Sequence, residues 1–539
     1  GYAAQPGYPG QPGYPTTAAQ PGSPGVPGGA LPPGSGTGWP PVPPPQPPRR
    51  GRGRTIALVT VPALLVVAAL VAVLVLKPWQ TDHPEPPLGQ HTTKPISYEA
   101  ADNTGPAVRP AGAVHGGQLT VLTTSSFDHL DPAQVYFFDE EAFLQLVVRT
   151  LTAVRTNPDG TGTLVGDLAT DPGTDVNGDC RTWRYTLRDG VQFADGTPIT
   201  SHDVAYGIAR SFDPDLISGF TTLQRWLAGD DYNAGYTGPG SGDRQPPGVH
   251  TPDERTIELT FPTPHCDLPY AASLPTTAPI PDGSQPSAST VDDKPPSSGP
   301  YQVSTHTGST VTLTRNPHWV AATDPLRTAD PDVIVLKLSQ DGATMASKLI
   351  ADGDADQASL AWSTTDTADA RATGRTITGS LGYNLLLAIN TKRVTSLDVR
   401  KGIAYAIDKN QLIGETVGTD RAEPATSVIP AGFAGYQQNP EAFPFDPARA
   451  KTLVNAPSSE LKLTVVSSTN SERDRELTLL KNMLRPAGIY LTATQVDTTD
   501  LFSTVDDPAD PYDMALVTWS PDWPSGYQQL RDMFGRQPI

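Results

Sequence analysis

The stretch that decides the fold is residues 187–203, LRDGVQFADGTPITSHD. It continues from TWRYTLR (residues 182–188), whose alternation of apolar and polar side chains predicts a strand. It ends on TSHD (residues 200–203), which resembles a helix capping box. Apolar side chains then follow at i, i+4 and i+8 on one helical face: Val204, Ile208 and Phe212. A strand followed by a capped helix indicates a mixed α/β fold.

The same alternation of signals extends along the chain. Strands are predicted at residues 118–123, 256–261, 310–315 and 333–338, and helices at residues 139–149, after a second capping sequence at 395–398, and from Asp446-Pro447 onward. Residues 461–467, 473–484 and 489–496 read as strand, helix and strand, which is a βαβ unit. We therefore expect an α/β protein with more than one lobe.

Length and composition divide the chain into unequal parts. With 539 residues and roughly 150 residues per domain, three or four units are expected. Residues 1–54 contain 16 prolines and 13 glycines. Such a segment buries too little apolar surface to offset the entropy of ordering, so it is predicted to be a disordered tail.

The charge distribution follows the same division. Up to residue 81 the chain has five basic residues and no acidic one, which leaves 33 basic against 57 acidic residues in positions 82–539, a formal net charge of −24. This acidity argues against nucleic acid or an anionic membrane surface as the main partner. A solvated acidic exterior explains the same charge.

Residues 55–76, TIALVTVPALLVVAALVAVLVL, form an uncharged apolar run long enough to cross a membrane as one transmembrane helix. Four arginines before it and one lysine after it predict a cytoplasmic N-terminus and an extracellular main domain. Residues 77–115 are polar and proline-bearing, as expected for an extracellular stalk. A cleaved signal peptide is the competing interpretation, although its apolar region is normally shorter.

Cys180 and Cys266 are the two cysteines, and both fall on the predicted oxidising side of the membrane. A disulfide between them would close 86 residues and stabilise the fold by about 4.5 kcal/mol in the chain-entropy picture. Two buried free thiols are the alternative. A zinc site would need more ligands than two distant cysteines supply.

The sequence lacks four common catalytic and cofactor-binding motifs. The nucleophile elbow, the HExxH zinc motif, the phosphate loop and the dinucleotide fingerprint do not occur, so no catalytic residue, metal ligand or cofactor is predicted. Residues 175–179, DVNGD, have the alternating oxygens of a calcium loop, but its sixth position is Cys180 and its twelfth is Thr186. A hairpin turn at Asn177-Gly178 explains the same residues.

Short motifs in a fixed order resemble family 5 extracellular solute-binding proteins, the oligopeptide-binding and dipeptide-binding components of ABC importers. The matching segments are GQLTV (117–121), LDP (130–132), residues 183–199, SGPY (298–301), RNP (315–317), NT (390–391), and residues 399–409, 445–451 and 512–522. The resemblance extends over residues 116–539, and residues 187–203 are its most specific part.

This resemblance implies a periplasmic-binding-protein-like α/β fold, with two lobes joined by a hinge and an extra α+β subdomain. Lobe I would comprise residues 116–165 and 297–380, the extra subdomain residues 166–296, and lobe II residues 381–539. Both cysteines would then lie in the extra subdomain. The chain ends soon after residues 519–522, where family members continue, so a truncated C-terminal end is expected.

The resemblance also implies a ligand site. Peptide binders of the family pair the ligand's amino group with an acidic residue just after a tryptophan-led strand, and the matching position is Asp522, after Trp519. An ordinary turn aspartate is the alternative. Trp519, Trp362 and Tyr383 are further candidates for the wall of the site, although each could equally belong to the core.

The expected function is capture of a peptide, or of another small solute such as a sugar or a metal chelate, for an ABC permease and its ATPase subunits. No enzymatic activity is predicted. A membrane-anchored sensor or adaptor that signals through the Pro-rich tail is the main alternative, because 54 residues exceed what an anchor needs. A hydrolase is a third possibility, disfavoured by the missing motifs.

Overall fold

The computed structural model describes residues 105–534 with internal gaps, at 124–125, 157–161, 217, 241–243, 285–287, 341–355, 360–381, 420, 432, 434, 440–441, 456–460, 498–499 and 507–510. By its internal contacts the chain divides into residues 1–86 and 87–539, and only the second unit contains described residues. The predicted tail, the apolar segment 55–76 and most of the stalk lie outside the described residues. Of the helices that are described, none is long and apolar enough to span a membrane.

Fifteen strands are described. In chain order they are β1 (Gln118–Thr123), β2 (Thr152–Thr156), β3 (Gly162–Gly166), β4 (Thr174–Asp175), β5 (Thr182–Thr186), β6 (Val249–Asp253), β7 (Thr256–Thr260), β8 (Tyr301–Thr307), β9 (Thr310–Arg315), β10 (Val333–Lys337), β11 (Gln357–Ser359), β12 (Asn384–Ile389), β13 (Leu461–Ser468), β14 (Ile489–Val496) and β15 (Met514–Trp519).

The α-helices among the described residues are α1 (Phe138–Leu144), α2 (Ser201–Arg210), α3 (Thr222–Ala228), α4 (Leu268–Ala271), α5 (Ala288–Asp293), α6 (Leu397–Ala406), α7 (Lys409–Glu415), α8 (Pro447–Val454), α9 (Ser471–Leu484), α10 (Leu501–Asp506) and α11 (Gly526–Phe534). Short 3₁₀ turns connect several of them.

The strands form three main sheets and one hairpin. The body built on the five-stranded sheet β11-β1-β10-β9-β8, in which β1 runs parallel to β10 and β11, is called the first lobe here. The body built on the four-stranded sheet β12-β15-β13-β14 is called the second lobe. The body built on the antiparallel sheet β4-β5-β7-β6 is called the extra subdomain, while β2 and β3 pair as a separate hairpin. Each of the three bodies has its own apolar core.

Several elements agree with the sequence patterns. β1 and β9 have the predicted bounds, whereas β5, β7 and β10 end one or two residues earlier than predicted. The Asp203 carboxylate accepts hydrogen bonds from the backbone N–H and hydroxyl of Thr200, which caps α2. The predicted βαβ unit is confirmed, because β13 and β14 pair in parallel along their full length on either side of α9 in the chain.

The helix predicted over residues 139–149 is wrong at its C-terminal end, since α1 stops at Leu144. The carbonyls of Leu146 and Val147 instead accept hydrogen bonds from the backbone of residues 298–301. The Arg149 N–H donates to Ser298 Oγ at 2.7 Å. These hydrogen bonds to a segment some 150 residues away take the place of those that would extend α1. No local sequence pattern predicts them.

Residues 175–180 form a turn between β4 and β5. The Asp175 carboxylate accepts hydrogen bonds from the backbone N–H groups of Gly178 and Cys180, so its oxygens are used within the turn. Across the described residues there is no group of three or more His, Cys, Asp or Glu side chains placed to hold a metal ion. Cys180 and Cys266 form a disulfide, with their Cα atoms 4.9 Å apart.

A buried network of charges joins the first lobe to the extra subdomain. Asp167 accepts from Arg149 Nε at 2.7 Å and from Arg327 Nη2 at 2.9 Å, and both Asp167 and Arg149 are at most 1% exposed. Arg327 also pairs with buried Asp324 at 3.1 Å. Burial alone would raise the pKa of Asp167, but the charges of Arg327 and Arg149 outweigh it and hold that pKa below its usual value.

Replacing Arg149 by methionine is expected to lower the free energy of unfolding by about 3 to 5 kcal/mol, because the two buried carboxylates Asp167 and Asp324 lose one of the two arginines with which they pair. The matched control is Arg184→Met, which breaks an ion pair with Glu258 whose arginine is 48% exposed. That control is expected to cost less than about 1 kcal/mol. Urea denaturation of both variants measures the difference, and equal losses would contradict the assigned role of Arg149.

Candidate functional site

Asp522 lies where the chain passes from the second lobe into the extra subdomain. It follows β15 of the second lobe by three residues. Its neighbour Trp523 is 2% exposed and belongs to the core of the extra subdomain, with its ring centroid 5.5 Å from that of Trp226. Asp267 accepts hydrogen bonds from Trp523 Nε1 at 3.2 Å and from Ser525 Oγ at 2.7 Å. The position of Asp522 is therefore fixed from both sides.

The Asp522 carboxylate is partly buried and has one hydrogen-bond donor, Thr222 Oγ1, at 3.2 Å. Burial raises the pKa of Asp522 to about 6, against the opposing effects of the Thr222 hydrogen bond and the charge of Arg531. Among the described residues no lysine or arginine forms an ion pair with Asp522. Burial disfavours the charged form of this carboxyl group, which is why its pKa lies above the ordinary value.

Glu141 is a second carboxylate near Asp522, and it comes from α1 of the first lobe. Burial, with the negative charge of Asp522 as a further cause, raises the pKa of Glu141 to about 7. Glu141 also lines a narrow recess together with Leu144, Gln145, Val148, Thr150, Ser273 and Pro275. The first lobe and the second lobe thus contribute one acid each.

The structure places two of the predicted wall residues together, and the third is not among the described residues. Trp519, the last residue of β15, pairs with Asn384, and Tyr383 directly precedes Asn384. The Ser520 hydroxyl donates to the Gly382 carbonyl at 3.2 Å, which joins the two strand ends. Tyr383 is 46% exposed, and burial followed by the charge of Glu472 raises its pKa. Trp362 lies outside the described residues.

A ledge of exposed aromatic side chains, Tyr136, Phe137 and Phe138, precedes Glu141. These residues are 46%, 55% and 54% exposed, which is unusual for three consecutive aromatic residues. Phe138 is three residues before Glu141 and lies on the same face of α1. Tyr136 packs on Phe220 of the extra subdomain with ring centroids 5.0 Å apart.

Buried ionic contacts hold the loop that carries this aromatic ledge. Asp131 is fully buried and accepts two hydrogen bonds from Arg210 of α2, at 3.1 and 2.8 Å. Asp292 of α5 accepts from the backbone N–H groups of Leu130 and Asp131. These contacts attach the loop before the aromatic ledge to α2 and α5.

The disulfide lies beside the contact that anchors the Asp522 segment. His265, next to Cys266, stacks on Trp226 with ring centroids 4.1 Å apart. Burial, with the charge of Arg531 as a smaller cause, lowers the pKa of His265 to about 4, so the ring is neutral near pH 7. A recess of about 270 Å³, open to solvent, lies here and is lined by Trp226, Pro264, His265, Cys266, Asp267 and Tyr527.

Three residues of the site have no sequence signal. Glu141 is one of several acids at the start of a predicted helix, and Thr222 and Asp267 fall in segments without a motif. What brings them to the site is contact over long distances in the chain, such as the 300 residues between Thr222 and Asp522. The pattern of the sequence could locate Asp522 only through the family resemblance.

The fold and this site at the meeting of three bodies define an extracytoplasmic solute-binding protein of the periplasmic-binding-protein type. The model of the protein family described as "Bacterial extracellular solute-binding proteins, family 5 Middle" matches residues 163–539. The chain belongs to this family.

Relatives of known name support the same assignment. The chain is 26% identical over 365 residues to the periplasmic murein peptide-binding protein MppA of Escherichia coli K12, covering 64% of each chain. It is 24% identical over 278 residues to the oligopeptide-binding protein OppA of Bacillus subtilis 168, covering 49% of each. It therefore spans about half to two thirds of the length of these curated relatives.

Solved structures show the same fold. The clavulanic acid biosynthesis oligopeptide binding protein 2 superposes with a TM-score of 0.68 at 28% identity, over 82% of this chain and 83% of that one. The OppA of Listeria monocytogenes bound to peptide superposes with a TM-score of 0.57 at 19% identity, over 78% and 84%. The second likeness concerns the fold alone.

Glu141→Gln is expected to stabilise the unliganded protein at pH 8 and to leave its stability unchanged at pH 4. A pKa raised from 4.5 to about 7 means that the folded state holds the proton more tightly than the unfolded state. The stability from that proton is complete below pH 4.5 and lost as pH rises through 7, so the charged glutamate is a cost above pH 7. After solvent screening the gain is on the order of 1 to 2 kcal/mol.

Urea denaturation at the two pH values measures this effect. Asp139→Asn is the matched control, since it removes an acid of the same helix two positions away, on another face. The control is expected to show no gain at pH 8. A Glu141→Gln protein that is no more stable than the parent at pH 8 would refute the raised pKa of this residue.

Proposed function

We propose that this protein captures peptides outside the cytoplasm and delivers them to an ABC permease and its ATPase subunits. The observation that carries the proposal is Asp522, a partly buried carboxylate with a raised pKa and no described ion-pair partner, at the crossing from the second lobe to the extra subdomain. The family resemblance assigns this position to the amino group of a peptide. The printed names of MppA and OppA, which describe peptide binding, support the same ligand class.

The arrangement of the site suits binding by hinged closure. A ligand held between Asp522, Trp519 and Tyr383 on one side and α1 on the other would contact both lobes, and so would stabilise the closed state more than the open one. The aromatic side chains at both edges offer surfaces that accept varied peptide side chains. The proposed division is residues 116–165 and 297–380 for lobe I, 166–296 for the extra subdomain and 381–539 for lobe II.

Asp522→Asn is expected to weaken binding of short peptides by about 30-fold or more, because removing one partner of a desolvated charge pair costs about 2 to 5 kcal/mol. Isothermal titration of the whole chain with tripeptide pools measures the change. Asp398→Asn, an exposed acid in the first turn of α6, is the matched control and should bind like the parent. N-acetylated peptides should bind the parent as weakly as free peptides bind the variant.

The outcomes separate the peptide proposal from its competitors. Absence of heat with every peptide, together with an Asp522→Asn protein identical to the parent, would refute peptide binding and favour another small solute. Binding of acetylated and free peptides with equal affinity would refute the role of Asp522 alone.

A membrane-anchored sensor or adaptor is a second candidate function, favoured by the 54-residue tail before the apolar segment 55–76. In this version the same site binds peptide, and the Pro-rich tail carries the signal on the cytoplasmic side. Deleting residues 1–54 distinguishes the two functions in cells that take up a labelled peptide. If the protein serves transport, the chain without residues 1–54 should take up as much peptide as the parent. If it is a sensor, peptide should cause a downstream response in the parent without uptake of the peptide.

A further inference from the structure

The Asp522 carboxylate receives its one hydrogen bond within the described residues from the extra subdomain. Thr222 Oγ1 donates to Asp522 Oδ2 at 3.2 Å, across 300 positions of the chain. Among the described residues no hydrogen bond reaches the other carboxylate oxygen, Oδ1. Arg531 acts on Asp522 through its charge, without a hydrogen bond. One oxygen of Asp522 is therefore held by Thr222, and the other is left to accept a hydrogen bond.

The backbone around Asp522 is held separately from its side chain. Trp523 packs in the core of the extra subdomain, and Asp267 accepts hydrogen bonds from Trp523 Nε1 and Ser525 Oγ. These contacts fix the place at which the Asp522 side chain leaves the backbone. They do not fix the rotation of its carboxylate, because the terminal torsion of aspartate is broad. The hydrogen bond from Thr222 restricts this rotation.

Thr222 is placed to act as a fixed donor. It is the first residue of α3, in which Gln224 and Trp226 are buried. Trp226 contacts Trp523, the residue after Asp522, with ring centroids 5.5 Å apart. Because threonine is branched at Cβ, few rotamers are open to its hydroxyl. The helix that carries the donor therefore packs against the same short segment that carries the acceptor.

We propose that Thr222 is a positioning residue of the ligand site, which holds one oxygen of the Asp522 carboxylate so that the other oxygen accepts from the amino group of a peptide. The inference rests on the proposed function, since that function assigns the amino group to Asp522. Thr222 acts through Asp522 and not on the ligand. Its hydrogen bond also favours the charged carboxylate, which is the form that pairs with an ammonium group. The extra subdomain thus takes part in recognition of a free peptide amino end.

The specific readout is the ratio of the affinities for free and for N-acetylated peptides. A general defect of the site weakens both kinds of peptide, whereas a misplaced Asp522 carboxylate weakens the free kind alone. The whole 539-residue chain is titrated calorimetrically with a tripeptide pool and with the same peptides N-acetylated, as the parent and as Thr222→Val. A hydrogen bond to a charged group corresponds to roughly tenfold in an equilibrium constant. Since part of this benefit is already present without ligand, the variant is expected to lose about fivefold for free peptides and less than about twofold for acetylated ones.

Three further variants separate the effect of the hydroxyl from that of the helix. Thr222→Ser keeps a hydroxyl at the same position and should keep the parent's ratio. Thr221→Val removes the hydroxyl of the preceding threonine, which accepts a hydrogen bond from Arg225 Nε at 3.1 Å, and should also keep the ratio. Added to Asp522→Asn, Thr222→Val should change the affinity for free peptides by less than about twofold, because the ion pair that it supports is already lost.

The pH dependence of binding gives a second readout. Burial raises the pKa of Asp522 to about 6, so binding of free peptides should weaken as the pH falls through about 6. The Thr222 hydrogen bond lowers that pKa, so Thr222→Val should move the midpoint to higher pH, and Thr222→Ser should not. The charged groups coupled to Asp522 are Arg531 of α11 and Glu141 of α1, and both are present in every protein compared.

The outcomes distinguish this inference from the proposed function. If Thr222→Val keeps the parent's ratio and pH midpoint, the positioning role is overturned while peptide capture stands. The same holds if Thr222→Val weakens free peptides equally with and without the Asp522 carboxylate. If the parent binds free and acetylated peptides alike, the role of Asp522 fails and the role of Thr222 with it. If neither pool binds the parent, the proposed function itself is refuted.

Discussion

The buried pairing of Asp167 with Arg149 and Arg327 is the contact on which the arrangement of the bodies depends. Arg149 follows α1 of the first lobe, Arg327 precedes β10 of the same lobe, and Asp167 follows the hairpin that leads into the extra subdomain. Because all three side chains are at most 10% exposed, none can leave its partners without leaving a charge unpaired in the protein interior. The network therefore specifies one orientation of α1 against the extra subdomain, and with it the place of Glu141.

A second anchor works from the opposite direction. Trp523 extends from the end of the second lobe's sheet into the core of the extra subdomain, and Asp267 holds both it and Ser525. Asp267 is adjacent in sequence to Cys266, so the disulfide with Cys180 ties this anchor to the β4–β5 turn. Segments of both lobes thus rest on the extra subdomain, which links them mechanically.

The sequence predicted local structure well, whereas it could not predict which residues surround Asp522, for physical reasons. The α2 cap, the start of α8 and the βαβ unit depend on residues within a few positions of each other, so patterns reveal them. The end of α1 depends on residues 298–301, and the raised pKa of Glu141 depends on burial and on the charge of Asp522, nearly 400 positions away. Asp522 could be named as a candidate only because the order of motifs matched a family. Contacts of this range leave no trace in periodicity.

The two acids also bear on how the site is maintained. A carboxylate with a raised pKa destabilises the empty protein at neutral pH, so its retention has to be explained by what it does rather than by stability. The fold tolerates this loss of stability because several contacts fix the residues around the two acids. Trp523 is packed in a core, and α1 is held by Asp131, Arg149 and their partners. Rigid neighbours keep Glu141 and Asp522 from relaxing apart, so both carboxyl groups keep pKa values above the ordinary ones in the folded protein.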